Sequence, residues 1–161
     1  MITINGFGIT SYKRFPDSKF GRSFHAVMTY EGKRLMKFDR KEDGITNMKV
    51  IQTKQFQFLK PDLEQLLINS FGPIDEWECP SFMLNLLLDV EEAAQAAAKS
   101  GQKVAVLSCG SKAAVVLTDK LELSVEEASE LVKAQGNGTP MPAVQKVIEV
   151  FEVIGDVELV L

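Results

Sequence analysis

Phe24-His25-Ala26-Val27-Met28-Thr29-Tyr30, then Glu31-Gly32-Lys33, then Arg34-Leu35-Met36-Lys37-Phe38 is the stretch on which the fold turns. Its β-branched and aromatic residues suit a pleated surface, and Gly32 supplies the residue a tight turn needs. The segment from Ser23 to Phe38 therefore predicts a β-hairpin. Toward the N-terminus, Ile2, Ile4, Phe7 and Ile9 alternate with a slip at Gly6, which predicts a first strand carrying a bulge at that glycine. Toward the C-terminus, Asp43-Gly44 marks a turn, and Ile45 to Phe58, with Met48, Val50, Phe56 and Phe58, predicts more strand.

The hydrophobic period changes from Pro61 onward. Leu63, Leu66, Leu67 and Phe71 share one helical face, and Gly72-Pro73 stops that helix. Ser81 is expected to cap a long helix running to about Lys99 and terminated by Gly101. Lys103 to Ser108 and Ala113 to Thr118 predict a second hairpin around Cys109-Gly110. Ser124 and Glu127 form the S-x-x-E capping-box pattern, opening a helix that ends near Gly136. Val144, Val147, Ile148, Phe151 and Ile154 recur at helical spacing and predict a fourth helix. Gly155-Asp156 then turns the chain into a short strand, Val157 to Leu161. The expected fold class is α+β: a mainly antiparallel β N-terminal half, then about four helices with a second hairpin and a short C-terminal strand. Residues 1–161 are expected to form a single domain, β-rich and basic to about residue 60, helix-rich and acidic from about residue 61.

Composition places the chain in an ordinary globular class. With 161 residues, 45% hydrophobic and 25% charged, it is long enough to bury roughly two thirds of the surface its unfolded form exposes. The opening MITINGFGIT has neither a basic region nor a continuous apolar run, so it does not read as a secretory signal. The longest apolar stretch, Phe82 to Leu88, is interrupted by Asn85 and is shorter than a bilayer requires, so no membrane partner is expected. Cys79 and Cys109 suit a reducing compartment as isolated thiols, and cytoplasmic residence is the expectation.

Charge is distributed unevenly. Residues 1–60 hold eight Lys and four Arg against five acids, a net +7, whereas residues 61–161 hold six Lys against seventeen acids, a net −11. The basic half is also the aromatic half: Tyr12-Lys13-Arg14-Phe15, Lys19-Phe20, Arg22-Ser23-Phe24 and Lys37-Phe38-Asp39-Arg40-Lys41 interleave cations with rings. Proteins that hold single-stranded nucleic acid use this combination, stacking bases on rings and meeting phosphates with Lys or Arg. Arg14, Arg22, Arg40 and Lys41 are the candidate phosphate contacts, and Tyr12, Phe15 and Phe20 the candidate stacking residues. Against this stands a plainer reading, in which Phe24, Met28, Tyr30 and Phe38 form the inner face of a sheet and the cations its solvated face.

Catalytic motifs are wanting. His25 is the sole histidine, which excludes two-histidine mechanisms and His-rich metal sites. Cys79 and Cys109 lack C-x-x-C spacing, and a Cys109/His25 nucleophile pair is held only as a reserve. Ser108-Cys109-Gly110-Ser111-Lys112 has a glycine, a serine and a cation but not the Walker arrangement, and reads as a hairpin turn. Asp39 to Gly44 fails as a calcium loop, because Lys41 and Val50 stand where that loop needs oxygen ligands. Asp75, Glu76 and Glu78 around Trp77, and Glu126, Glu127 and Glu130, read as solvated loop and helix-end acids. No metal, cofactor or catalytic residue is expected.

Two classes of function follow. The first is a non-enzymatic accessory factor contacting single-stranded nucleic acid or a nucleoprotein through its basic, aromatic N-terminal sheet. The second is a protein-binding adaptor or inhibitor, acting through its acidic helical half or through the apolar strand Val157 to Leu161, which either completes the sheet or offers an edge to a partner or to a second copy of the chain.

Overall fold

The computed structural model describes residues 1–15, 23–41, 45–136 and 141–161. The chain divides into two compact units, one of residues 2–61 and 158–160, the other of Met1, 62–157 and Leu161. Among the described residues there are nine strands in two sheets and three α-helices, so the class is α+β.

The first unit is built on strands β1 (Ile2–Ile4), β2 (Phe7–Phe15), β3 (Ser23–Tyr30), β4 (Lys33–Arg40), β5 (Thr46–Val50) and β9 (Val157–Leu159), hydrogen-bonded in the order β5-β4-β3-β2-β1-β9. The expected hairpin is β3 and β4, closed by Glu31-Gly32 with Tyr30 opposite Lys33. The expected bulge at Gly6 is instead a second tight turn, with Ile4 opposite Phe7. Both turns place two successive residues at positive φ, Asn5 and Gly6 at 48° and 85°, Glu31 and Gly32 at 49° and 79°. That pair of left-handed residues matches the twist of the flanking strands. The bulge in β2 lies further on: Thr10 faces Val27 and Lys13 faces His25, so Ser11 and Tyr12 together oppose Ala26. A second bulge at Leu35 in β4 frees its carbonyl, which accepts from the Ile51 and Gln52 amides at 2.9 and 3.3 Å.

The strand expected through Phe58 ends at Val50, and helix α1 runs Thr53–Phe71 with Pro61 in its interior. Phe56 and Phe58 alternate as strand residues do, but Leu59, Leu63, Leu67 and Phe71 are buried at four-residue intervals. That stripe carries the helical period back past the proline, which removes one amide donor without ending the helix.

In the second unit a single 3-10 turn at Glu76–Glu78 leads into α2, Cys79–Ser100. Ser81 does not cap it. Pro80 occupies the first turn, where a missing N–H costs nothing, and α2 ends as expected at Gly101, whose amide donates to Ala97. β6 (Lys103–Ser108) and β7 (Ala113–Thr118) form the expected second hairpin. Helix α3, Val125–Gln135, opens on the complete capping box of Ser124 and Glu127.

The fourth expected helix is strand β8, Lys146–Phe151, so the described residues hold three helices rather than about four. β8 pairs antiparallel with β6, giving a sheet of order β7-β6-β8. Val106 faces Glu149 and Leu107 faces Val147, so Ile148 is an inserted residue. The insertion breaks the strict alternation of a strand and brings the apolar residues to intervals of three and four, which imitate a helix. One side of this sheet packs Ala105, Leu107, Cys109 and Val116 against Ala128, Leu131 and Val132 of α3. α2 also packs on β6 and β7.

Candidate functional site

Register decides which of the cationic and aromatic residues meet. Residues directly opposite one another across antiparallel strands share a face of the sheet. Arg14 on β2 faces Phe24 on β3, and Phe24 faces Arg40 on β4, so these three form one row across the sheet. Phe24 is fully buried. The ring of Tyr12 lies 6.2 Å from that of Phe24, inclined at 45°, and Tyr12 remains 42% exposed. Arg14 is exposed and Arg40 half-buried. The Nε atom of Arg40 is buried and has no hydrogen-bond partner among the described residues. Ser23 Oγ donates to the Arg40 carbonyl at 3.1 Å, tying β3 to β4 at this end of the sheet. Two guanidinium groups thus flank an aromatic pair, and no carboxylate stands in the row.

The structure separates the remaining candidates. Phe15 neighbours Arg14 on an extended strand and therefore belongs to the opposite face. There Lys13 Nζ lies 5.6 Å from the centre of the Phe15 ring. Lys41 is exposed just beyond β4, its amide donating to Ile45. Phe20 and Arg22 lie outside the described residues.

Three lysines outside the candidate phosphate contacts, Lys13 and Lys37 from the cation–ring segments and Lys49, also stand on the Phe15 face. Lys13 faces His25, which faces Asp39, with His25 Nδ1 and Asp39 Oδ1 2.5 Å apart. In the next row Lys37 faces Lys49 directly. Like charges in that position repel. Alternation along β4 puts Lys37 on the face opposite the buried Met36 and Phe38, but its juxtaposition with Lys49 depends on the β4–β5 register, which the sequence does not display.

The features set aside as non-catalytic have structural work. Cys109 is wholly buried in the cluster under α3, and burial pushes its thiol up, away from the thiolate a nucleophile needs. Burial likewise raises Cys79, which is buried at the start of α2. In the 108–112 loop the Cys109 amide donates to the Lys112 carbonyl at 2.8 Å and the Ser111 amide to the Phe71 carbonyl at 3.1 Å. Those amides close a turn instead of cradling an anion. Glu127 is held below the ordinary carboxylate range, first by the Lys120 ammonium and then by Ser124. Glu130 pairs with Lys133 at 3.6 Å. Asp75, Glu76 and Glu78 are exposed around Trp77. Among the described residues no three His, Cys, Asp or Glu side chains cluster as metal ligands, and no helix is long and apolar enough to cross a membrane. No family model, curated protein or solved structure matches the chain.

Proposed function

We propose that this protein binds single-stranded nucleic acid on the sheet face where Tyr12, Arg14 and Arg40 meet, acting as an accessory binding factor and not as a catalyst. The row Arg14–Phe24–Arg40, with Tyr12 against Phe24, carries the reading. Guanidinium forks grip phosphate oxygens in pairs, and an exposed ring seated on a buried one is a rigid platform for a base. Among the described residues no protein acceptor holds the N–H of the buried Arg40 Nε, so this guanidinium is not already committed there to a partner within the sheet.

Fluorescence anisotropy with labelled single-stranded DNA and RNA at two salt concentrations tests the proposal. Arg14→Ala should flatten the dependence of log K on log salt by about 0.7, the worth of one phosphate contact on a single strand. Tyr12→Ala should cost ~1–3 kcal/mol with little change in slope. Phe15→Ala, on the other face, should leave affinity unchanged. Absence of binding at low salt overturns the proposal, and loss of affinity in Phe15→Ala but not in Tyr12→Ala moves the site to the Lys13, Lys37 and Lys49 face.

A second reading, docking to a basic protein partner, is favoured by Trp77, which is 72% exposed among the acids Asp75, Glu76 and Glu78. Exposed tryptophans are frequent anchors of protein interfaces. Trp77→Ala should abolish such docking and leave nucleic-acid binding intact. The C-terminal strand β9 pairs with β1 on one side, the Asn5 amide donating to the Leu159 carbonyl at 2.8 Å, and as the last strand of its sheet it has its other edge for a partner strand in this second reading.

A further inference from the structure

At the turn end of the β3–β4 hairpin a cleft of about 240 Å³ is lined by Tyr30, Lys33, Arg34, Leu35, Gln52 and Gln55. It is a separate place from the Arg14–Phe24–Arg40 row: Phe24 and Tyr30 are six residues apart on β3, roughly 20 Å at the rise of an extended strand.

The lining has a one-sided chemistry. Lys and Arg are donors only, Gln offers two donors on its amide nitrogen, and Tyr offers one. No Asp or Glu lines the cleft, although Glu31 stands in the adjoining turn. Neither Lys33 nor Arg34 forms an ion pair with a carboxylate among the described residues. The first turn of α1, which contributes Gln55, contains no acid either. Two uncompensated cations and several neutral donors around one space complement a ligand of charge near −2 whose surface is mostly acceptor oxygen.

Size narrows the class further. Sites for drug-sized ligands occupy roughly 300–1,000 Å³. The smaller volume here, with Leu35 as the single aliphatic lining residue, suits a compact oxyanion better than a flat aromatic cofactor.

The walls are held in place without the ligand. The Leu35 carbonyl binds both the Ile51 and Gln52 amides, and the Glu31 amide donates to Gly6 at 2.9 Å. The Tyr30 ring is fixed by Phe7, with ring centres 5.0 Å apart. A preformed site avoids most of the ordering cost of binding.

We infer that this cleft is a binding site for a phosphate monoester, gripped by Lys33 and Arg34 and oriented by Tyr30, Gln52 and Gln55. The phosphate belongs either to a small free molecule or to the 5′ end of a nucleic-acid strand. The inference does not depend on the nucleic-acid reading, since the cleft and its charges stand apart from the Arg14 row.

Amide-resolved NMR titration of the full chain tests it, with inorganic phosphate, glycerol 3-phosphate, citrate, and a short oligonucleotide with and without a 5′-phosphate as probes. Saturable shifts at Lys33, Arg34, Gln52 and Gln55 are expected with glycerol 3-phosphate or with the 5′-phosphorylated strand, and which of the two binds more tightly identifies the source. Lys33→Gln/Arg34→Gln should weaken binding at least tenfold, about one charge-assisted contact's worth, with an otherwise unchanged spectrum. Lys99→Gln, a cation elsewhere, should have no effect. Binding should tighten from pH 5 to pH 7.5, because a phosphate monoester takes its second charge near pH ~6. The inference is overturned if no probe gives saturable shifts up to about 10 mM, weaker than any specific small-molecule site, if citrate binds as tightly as the phosphates, or if the double variant binds normally.

Discussion

Replacing Gly6 by alanine separates backbone strain from steric contact, because Gly32 offers the same strain without the contact. Both glycines close two-residue turns in the same sheet at similar positive φ, 85° and 79°. For an alanine that conformation costs roughly 1–2 kcal/mol. A Cβ on Gly32 meets nothing within 4 Å, whereas a Cβ on Gly6 comes within 2.9 Å of the Tyr30 ring. That ring cannot swing away freely, since the Phe7 ring packs against it at an inclination of 58°. Over-packing of this kind adds about 1–3 kcal/mol. Gly32→Ala should therefore destabilise by about 1–2 kcal/mol and Gly6→Ala by about 2–5. Urea titration followed by circular dichroism measures both, provided the slope with denaturant stays constant. In a Tyr30→Leu background the excess cost at Gly6 should vanish, and that non-additivity isolates the contact. Equal destabilisation by the two alanines, or an excess at Gly6 that survives removal of the ring, would refute the reasoning. Because Tyr30 also lines the cleft, Gly6→Ala should weaken glycerol 3-phosphate binding while Gly32→Ala does so less.

Other perturbations test the second unit and the chain end. Gln135 bonds both backbone groups of Leu117 on β7, donating to its carbonyl at 2.7 Å and accepting from its amide at 2.8 Å; Gln135→Ala should cost about 1–2 kcal/mol and, by uncovering a strand edge, promote self-association visible in light scattering. Ser124→Ala should cost about 1 kcal/mol through loss of the α3 cap. Glu127 has a folded-state pKa below its usual 4.5, so its contribution is complete above that value and is lost as pH falls through the lower folded one; Glu127→Gln should flatten the acid limb of the stability curve and leave the alkaline limb unchanged. The sequence alone suggests that Cys109→Ser is nearly neutral, but Cys109 is wholly buried among apolar side chains, and a hydroxyl there should cost about 1–3 kcal/mol, while the native thiol should resist Ellman's reagent until the protein unfolds. Deleting residues 156–161 removes the buried Leu159 and its bond to Asn5 and should lower stability by at least about 2 kcal/mol in a thermal or urea melt.

The candidate site was legible in its residue types and not in its geometry. Tyr12, Arg14 and Arg40 carry the right chemistry wherever they lie, but only strand register shows that Arg14 and Arg40 flank Phe24. Phe15 appeared equivalent to Tyr12 in the sequence, yet alternation along β2 sends it to the other face beside Lys13. The cleft at the hairpin turn had no linear signal at all, since Gln52 and Gln55 reach Lys33 and Arg34 only through the bonds to Leu35 that a bulge makes available.

By itself the sequence determined what local chemistry controls: the hairpin turn at Gly32, the stop at Gly101, the capping box of Ser124 and Glu127, and the division of charge between the two halves of the chain. The turn, the stop and the cap each depend on residues within a few positions of one another, and the charge division is a count along the chain, so these signals are complete in the linear text. Tertiary structure decided the rest. Lys146–Phe151 is a strand because β6 offers it a second hydrogen-bonding edge, and the inserted Ile148 hides that strand behind helical spacing. Thr53–Pro61 is helical because the buried stripe through Leu59 and Leu63 outweighs a proline and two alternating phenylalanines. Short segments have comparable intrinsic preferences for helix and strand, and the free energy of burying a face against distant residues is large enough to choose between them.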